Sequence, residues 1–180
     1  AFTGLTQLRL GATYTLTSTT TLGGEFKIRR NTWDLDAFSE TLGTADGDAL
    51  FEEGLNSSEI NNWTHNLASL HLEQKLDENS TLTFLYDYLS YDNENDATYD
   101  ETRIENGTNT VLSFISEAQT DVEFHVARVD LNTEVNEKVK LALGAKATIS
   151  RFTNDVAVLD MSSEMPIQND TLSAIRNLNE

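Results

Sequence analysis

The chain has 180 residues, no cysteine, one proline and a formal charge of 12 − 30 = −18. Such acidity argues against nucleic acid and against docking on an anionic inner leaflet, both of which need a basic footprint. The missing cysteines exclude disulfides and thiolate metal sites.

No apolar run approaches the about 18 residues that mark a transmembrane helix. A membrane-spanning strand needs only about 9–11 residues with every second one apolar, which a mean hydropathy of −0.40 permits. The opening Ala1-Phe2-Thr3-Gly4 lacks the basic-then-apolar pattern of a secretory leader.

Period-2 alternation, which buries one face of a strand and wets the other, sets the predicted elements. The first strand covers 5–17, with Leu8, Leu10, Ala12, Tyr14 and Leu16 on one face and Gln7, Arg9, Gly11 and Thr13 on the other. The second covers 21–35, with Leu22, Gly24, Phe26 and Ile28 opposite Glu25, Lys27 and Arg29. A long loop is expected over 36–59, where Asp46-Gly47-Asp48 and Glu52-Glu53-Gly54 are turn and solvation signals. Strands over 61–76 and 81–91 follow, the latter with Leu82, Phe84, Tyr86 and Tyr88 on one face. A second long loop is expected over 92–119, with a short apolar patch at Val111-Leu112-Ser113-Phe114-Ile115. The fifth strand, 121–135, slips phase from Val122, Phe124 and Val126 to Val129 and Leu131, which predicts a β-bulge near Ala127-Arg128. The sixth covers 139–152, and the tail over 155–180 is expected to hold a short helix from Thr171 to Leu178. Pro166 falls outside every predicted strand, as ladder hydrogen bonding requires. Gly23, Gly24 and Gly144 fall inside strands and predict bulges, bends or close backbone approach.

The expected fold is all-β: an antiparallel meander of about six long strands in three hairpins, forming part of an outer-membrane β-barrel wall over residues 1–180. Short turns fall at one end, while both long loops and the tail fall at the other, as in such barrels. Leu8, Leu10, Tyr14, Phe26, Ile28, Leu82, Phe84, Tyr86, Leu141 and Leu143 are then expected to face lipid. Gln7, Arg9, Glu25, Lys27, Arg29, Asp87, Lys140 and Lys146 are expected to face the lumen. Trp33, Trp63, Tyr88, Tyr91 and Phe152 approach the long-loop end and are expected to form an aromatic girdle at the membrane interface.

Leu76-Asp77-Glu78-Asn79-Ser80-Thr81-Leu82-Thr83-Phe84, Tyr86-Asp87-Tyr88-Leu89-Ser90-Tyr91-Asp92-Asn93, Arg128-Val129-Asp130-Leu131 and Lys140-Leu141-Ala142-Leu143-Gly144-Ala145-Lys146 carry a likeness, mainly over 61–155. They resemble the β-barrel region of TonB-dependent outer-membrane receptors of the Bacteroidetes type. The resemblance implies the outer membrane, lipid contact, and uptake of a bulky nutrient such as a siderophore, glycan or peptide. It also implies a plug domain and a TonB-type energy-coupling protein as partners. The chain shows neither a plug nor a TonB box, and about six strands fall short of the about 22 of such transporters. It is therefore expected to be an internal piece of a barrel, cut in two long surface loops. An isolated piece of this kind is expected to self-associate through its sheet edges. The rival readings are a porin-like or assembly barrel, separated by the absence of an upstream plug, and a soluble secreted β-sheet binding module.

Scaffold-held loops and rims usually carry ligand contact, which makes Trp33, Trp63, Tyr91 and Tyr99 the candidate binding residues. Asp92, Glu94 and Asp96 are weak calcium candidates. An EF-hand pattern fails there, because Ala97 stands in place of the required glycine and Arg103 in place of the closing glutamate. His65 and His71 share a face but lie too far apart along one strand to share a metal, and His125 is isolated. No nucleophile elbow, phosphate loop or dinucleotide motif occurs, so no enzyme, cofactor or firm metal site is expected.

Overall fold

A computed structural model of the protein describes residues 2–45, 48–162 and 165–179. The strands are β1 (Phe2–Thr17), β2 (Thr20–Ala45), β3 (Asp48–Lys75), β4 (Ser80–Glu105), β5 (Thr108–Asn136), β6 (Val139–Asp160), β7 (Ile167–Gln168) and β8 (Ala174–Asn179). They form one antiparallel sheet in sequence order from β1 to β7, with β8 also on β6. The sheet is open: among the described residues β1 pairs only with β2.

The hairpin turns at one end are built from local polar side chains. Thr17 Oγ1 accepts from the Thr19 amide (3.2 Å), Asp77 Oδ1 from the Asn79 amide (2.7 Å) and Asn136 Oδ1 from the Lys138 amide (2.9 Å). These side-chain acceptors reverse the chain without a glycine. At the other end β4 and β5 meet at Asn106-Gly107, with φ of 52° and 75°. Two successive positive φ values are what a two-residue hairpin turn of matching twist demands, and Asn-Gly supplies them.

Four predicted elements are corrected. The loops expected over 36–59 and 92–119 are strand: β2 pairs with β3 as far as Ala45↔Asp48, and β4 with β5 as far as Glu105↔Thr108. The apolar patch at 111–115 lies inside β5. The Asp46-Gly47 turn lies outside the described residues. The bulge expected near Ala127-Arg128 is absent, because β5 pairs without a break there on both sides; its one irregularity, between Glu134 and Asn136, lies at the turn. The helix expected from Thr171 to Leu178 is a turn followed by β8, which descends beside β6 from Val156↔Ala174 to Arg151↔Asn179.

The cross-strand pairs divide the sheet into two faces. One outward row reads Tyr14, Leu22, Leu72, Phe84, Val129 and Ala145, and the next reads Ala12, Gly24, Leu70, Tyr86, Ala127 and Ala147. Every residue predicted to face lipid lies on this face, and every one predicted to face the lumen lies on the other. The outward face is exposed, with Leu10, Tyr14 and Ile149 at 60%, 68% and 65%. The buried side chains Asn61, Asn93, Ala97 and Val158 all lie on the opposite face, which is therefore the interior one.

From Leu141 to Ile149 the outward apolar band runs about 27 Å along β6. At a tilt near 40° that covers about 20 Å of membrane normal, close to the ~25 Å band of outer-membrane barrels. The row Asn66–Ser90–Glu123–Arg151 closes the band. Beyond it β4 continues from Ser90 to Glu105, about 50 Å further along the strand.

Candidate functional site: the interior face beyond the apolar band

Charge is segregated between the faces. Arg9, Lys27, Arg29, Lys75, Arg128, Lys140 and Lys146 all project from the interior face. Carboxylates offset some of them: Arg9 pairs with Glu25 (2.5 Å), Arg128 with Asp130 (2.6 Å), and Lys140 with Glu134. The acids of the projecting sheet dominate its outward side, where Asp92 lies across from Asp121 and Asp96 across from Glu117.

The interior face carries two kinds of cluster. The first is polar. Asn93 Nδ2 donates to Asn61 Oδ1 (2.7 Å) and to the Asn62 carbonyl (3.0 Å), while Asn61 and Asn95 both donate to Glu59 Oε1 (3.4 and 2.8 Å). This chain satisfies the buried amides of Asn61 and Asn93, which would otherwise cost about 1–3 kcal/mol each. Asn95 Oδ1 is buried with no donor among the described residues.

The second cluster is aromatic. Trp63 and Tyr91 meet edge to face with centroids 4.8 Å apart, and His65 meets Tyr91 at 4.4 Å and 84°. Higher up, Tyr99 stacks on Phe114 at 4.8 Å, and the Arg103 guanidinium lies 4.4 Å over the Phe51 ring. Such pairs fix side-chain orientation as well as adding contact energy.

The four candidate binding residues therefore sit on strands rather than in loops, and all four share the interior face. Trp63 and Tyr91 are brought together. Trp33 lies across from Asn61, one rung away, and Tyr99 lies about 26 Å further along β4 than Tyr91. The expected girdle is corrected by the same parity: Trp33, Trp63, Tyr91 and Phe152 point inward, and only Tyr88 of that set points outward. Tyr86 and Tyr88 instead flank His125 on the outward face. Tyr86 Oη and His125 Nδ1 are 2.7 Å apart, so His125 is not isolated.

Asp92, Glu94 and Asp96 occupy alternate positions of one extended strand, with steps of about 6.7 Å that spread their carboxylates apart. No group of three metal-ligating side chains converges among the described residues.

Sequence reasoning did not single out the interior concavity of about 460 Å³ at the edge of the band. Its cationic wall is Lys27 and Arg29, and its apolar floor includes Leu67, Leu89, Val122 and Phe124. His65 and Tyr91 close one side. His65 lies beyond the apolar band; burial first, then the charges of Arg29 and Lys27, hold its imidazole below the ordinary value. The sequence did hold a signal for this shelf. The phase slip in β5 is not a bulge but the point where, along the chain, apolar residues pass from the interior face (Val122, Phe124, Val126) to the outward face (Val129, Leu131).

A charge-free outward band, a polar interior face and in-order antiparallel strands define the wall of a membrane-spanning β-barrel. Residues 74–180 match the outer membrane protein beta-barrel family, and the chain belongs to that family, which places it in the outer membrane. No curated protein matches the chain.

Proposed function

We propose that this wall belongs to an energy-coupled receptor of the TonB-dependent kind, which captures a bulky nutrient outside the cell and passes it through the barrel. The observation that carries this reading is the projecting sheet. Strands that run about 50 Å past the apolar band build a tall vestibule, and its interior side carries the Trp63–Tyr91–His65 and Tyr99–Phe114 clusters. A passive pore needs no such height. On this reading a plug domain lies against the polar interior, and an inner-membrane TonB-type protein supplies the work. The residues bind and guide, with no catalytic step.

A porin-like role is the second reading. It draws on the interior ion pairs Arg9–Glu25 and Arg128–Asp130, which suit a watery passage with charges of both signs. Uptake by intact cells separates the two. Receptor uptake stops when a protonophore collapses the inner-membrane gradient, and the purified protein leaves liposomes tight to small sugars. Uptake that continues without the gradient, together with liposomes that swell, sinks the receptor reading in favour of the pore.

A further inference from the structure

Lys27 and Arg29 stand two residues apart on the interior face of β2, about 6.7 Å along the strand. Arg9 lies directly across from Lys27 on β1. Three cations thus share one patch, and like charges placed opposite each other destabilise a sheet. Only one of them is offset: Glu25 pairs with Arg9, and neither Lys27 nor Arg29 has an ion-pair partner among the described residues. In a chain with 30 acids and 12 bases, two unpaired cations side by side are not what random placement or folding stability would select. Beside them the interior turns apolar, with Leu67 directly across from Lys27 and Leu89 and Phe124 next in the same row. An uncompensated cationic pair against a greasy shelf is complementary to one kind of molecule.

We propose that this concavity is a binding subsite for an organic carboxylate with an apolar or aromatic body. Arg29 grips the carboxylate through paired N–H donors, as guanidinium geometry allows. Lys27 adds a second, more flexible charge. The body of the ligand lies over Leu67, Leu89 and Phe124, with Tyr91 at its edge. His65 lines the same concavity and offers ring nitrogens for a hydrogen bond. The site lies at the border between the projecting sheet and the membrane-spanning part, so a ligand leaving the vestibule meets it on entering the barrel. The ligand class deepens the receptor reading and rests on it for its place in transport, while binding itself does not.

The test is calorimetric titration of the purified outer-membrane protein in detergent with 2-naphthoate and its uncharged analogue 2-naphthamide. Lys27→Gln/Arg29→Gln is expected to weaken naphthoate binding at least tenfold and to leave naphthamide unchanged. The charge-preserving Lys27→Arg/Arg29→Lys pair keeps most of the affinity. Lys140→Gln, at the turn end of the wall, leaves binding unchanged. Heat-modifiable gel migration checks that each variant retains its barrel. Equal binding of the acid and the amide, or a naphthoate affinity indifferent to the double substitution, overturns the subsite. So does a wild-type protein that binds no naphthoate while the double variant loses thermal stability, because the cations would then be held by an acidic segment of the protein itself. Naphthoate that binds but is never taken up by cells leaves the subsite standing and counts against the receptor reading alone.

Discussion

Gly23 on β2 and His71 on β3 are direct cross-strand partners, and the imidazole lies over the glycine so closely that a Cβ there would come within 1.9 Å of His71 Cε1. The glycine is extended, so its value here is space. Gly23→Ala is expected to displace the ring into a poorer rotamer, at a cost of about 0.5–1.5 kcal/mol. In a His71→Ala background the same change is expected to stabilise the protein by about 0.5–1 kcal/mol, because alanine restricts the unfolded chain more than glycine does. Urea unfolding of the four proteins of this cycle in lipid vesicles measures the coupling. Identical effects of Gly23→Ala in both backgrounds would show that the two residues do not meet.

Leu70 is 57% exposed near the middle of the outward band, between Gly24 and Tyr86. Leu70→Arg is expected to cost about 2–4 kcal/mol in a bilayer, as a charge at the midplane of a barrel does. Thr83→Arg lies on the interior face across from Glu73 and Asp130 and is expected to be close to neutral. Vesicle unfolding midpoints compare them. Equal costs would mean that the two faces are misassigned.

At the far hairpin, Gly107 has φ of 75° with nothing within 4 Å of a built Cβ, so only backbone conformation resists a side chain. Gly107→Ala is expected to cost about 1–2 kcal/mol locally. Because the tip stands far beyond the apolar band, amide exchange should quicken near 100–114 while the global unfolding midpoint stays put. A drop in that midpoint would tie the projecting sheet to the barrel more tightly than its position suggests.

The parts of this protein that sequence made legible are those where apolar residues mark the period. Leu8 through Leu16 and Leu141 through Ile149 alternate against a polar face, and the structure puts both sets outward. Beyond the band that contrast disappears. Residues 36–45 and 92–105 carry only scattered apolar residues, such as Phe38, Leu42 and Ile104, with no continuous apolar face, because water lies on both sides of a projecting sheet, and a strand without such a face reads as a loop. Asn106-Gly107 was the stronger clue to that hairpin, since few other dipeptides accept two left-handed residues. The aromatic clusters were legible by parity alone: Trp33 shares its phase with Lys27 and Arg29, so it points inward with them. What no linear pattern contains is which interior cations lack a carboxylate, because Glu25 reaches Arg9 across strands.

Asp160, at the end of β6 and outside the membrane, accepts hydrogen bonds from the Ser162 amide (2.8 Å) and hydroxyl (2.5 Å). These bonds hold its carboxyl below the ordinary value. A carboxylate with a lowered folded pKa favours the folded turn above its unfolded pKa of about 3.9 and loses that contribution as pH falls through the folded value. NMR titration should therefore find Asp160 protonating below about 3.9, with Ser162→Ala moving it upward. A titration unaffected by that substitution would show that the turn does not hold the acid.

The acidic rungs on the outside of the projecting sheet tie its rigidity to the surrounding medium. Asp92 against Asp121 and Asp96 against Glu117 repel across neighbouring strands, and mobile ions mute such repulsion over a Debye length of about 8–10 Å at physiological strength and less in brine. The projecting sheet should therefore breathe most in fresh water and stiffen as salinity rises. Salt concentration then sets how far neighbouring strands can splay at its acidic rungs.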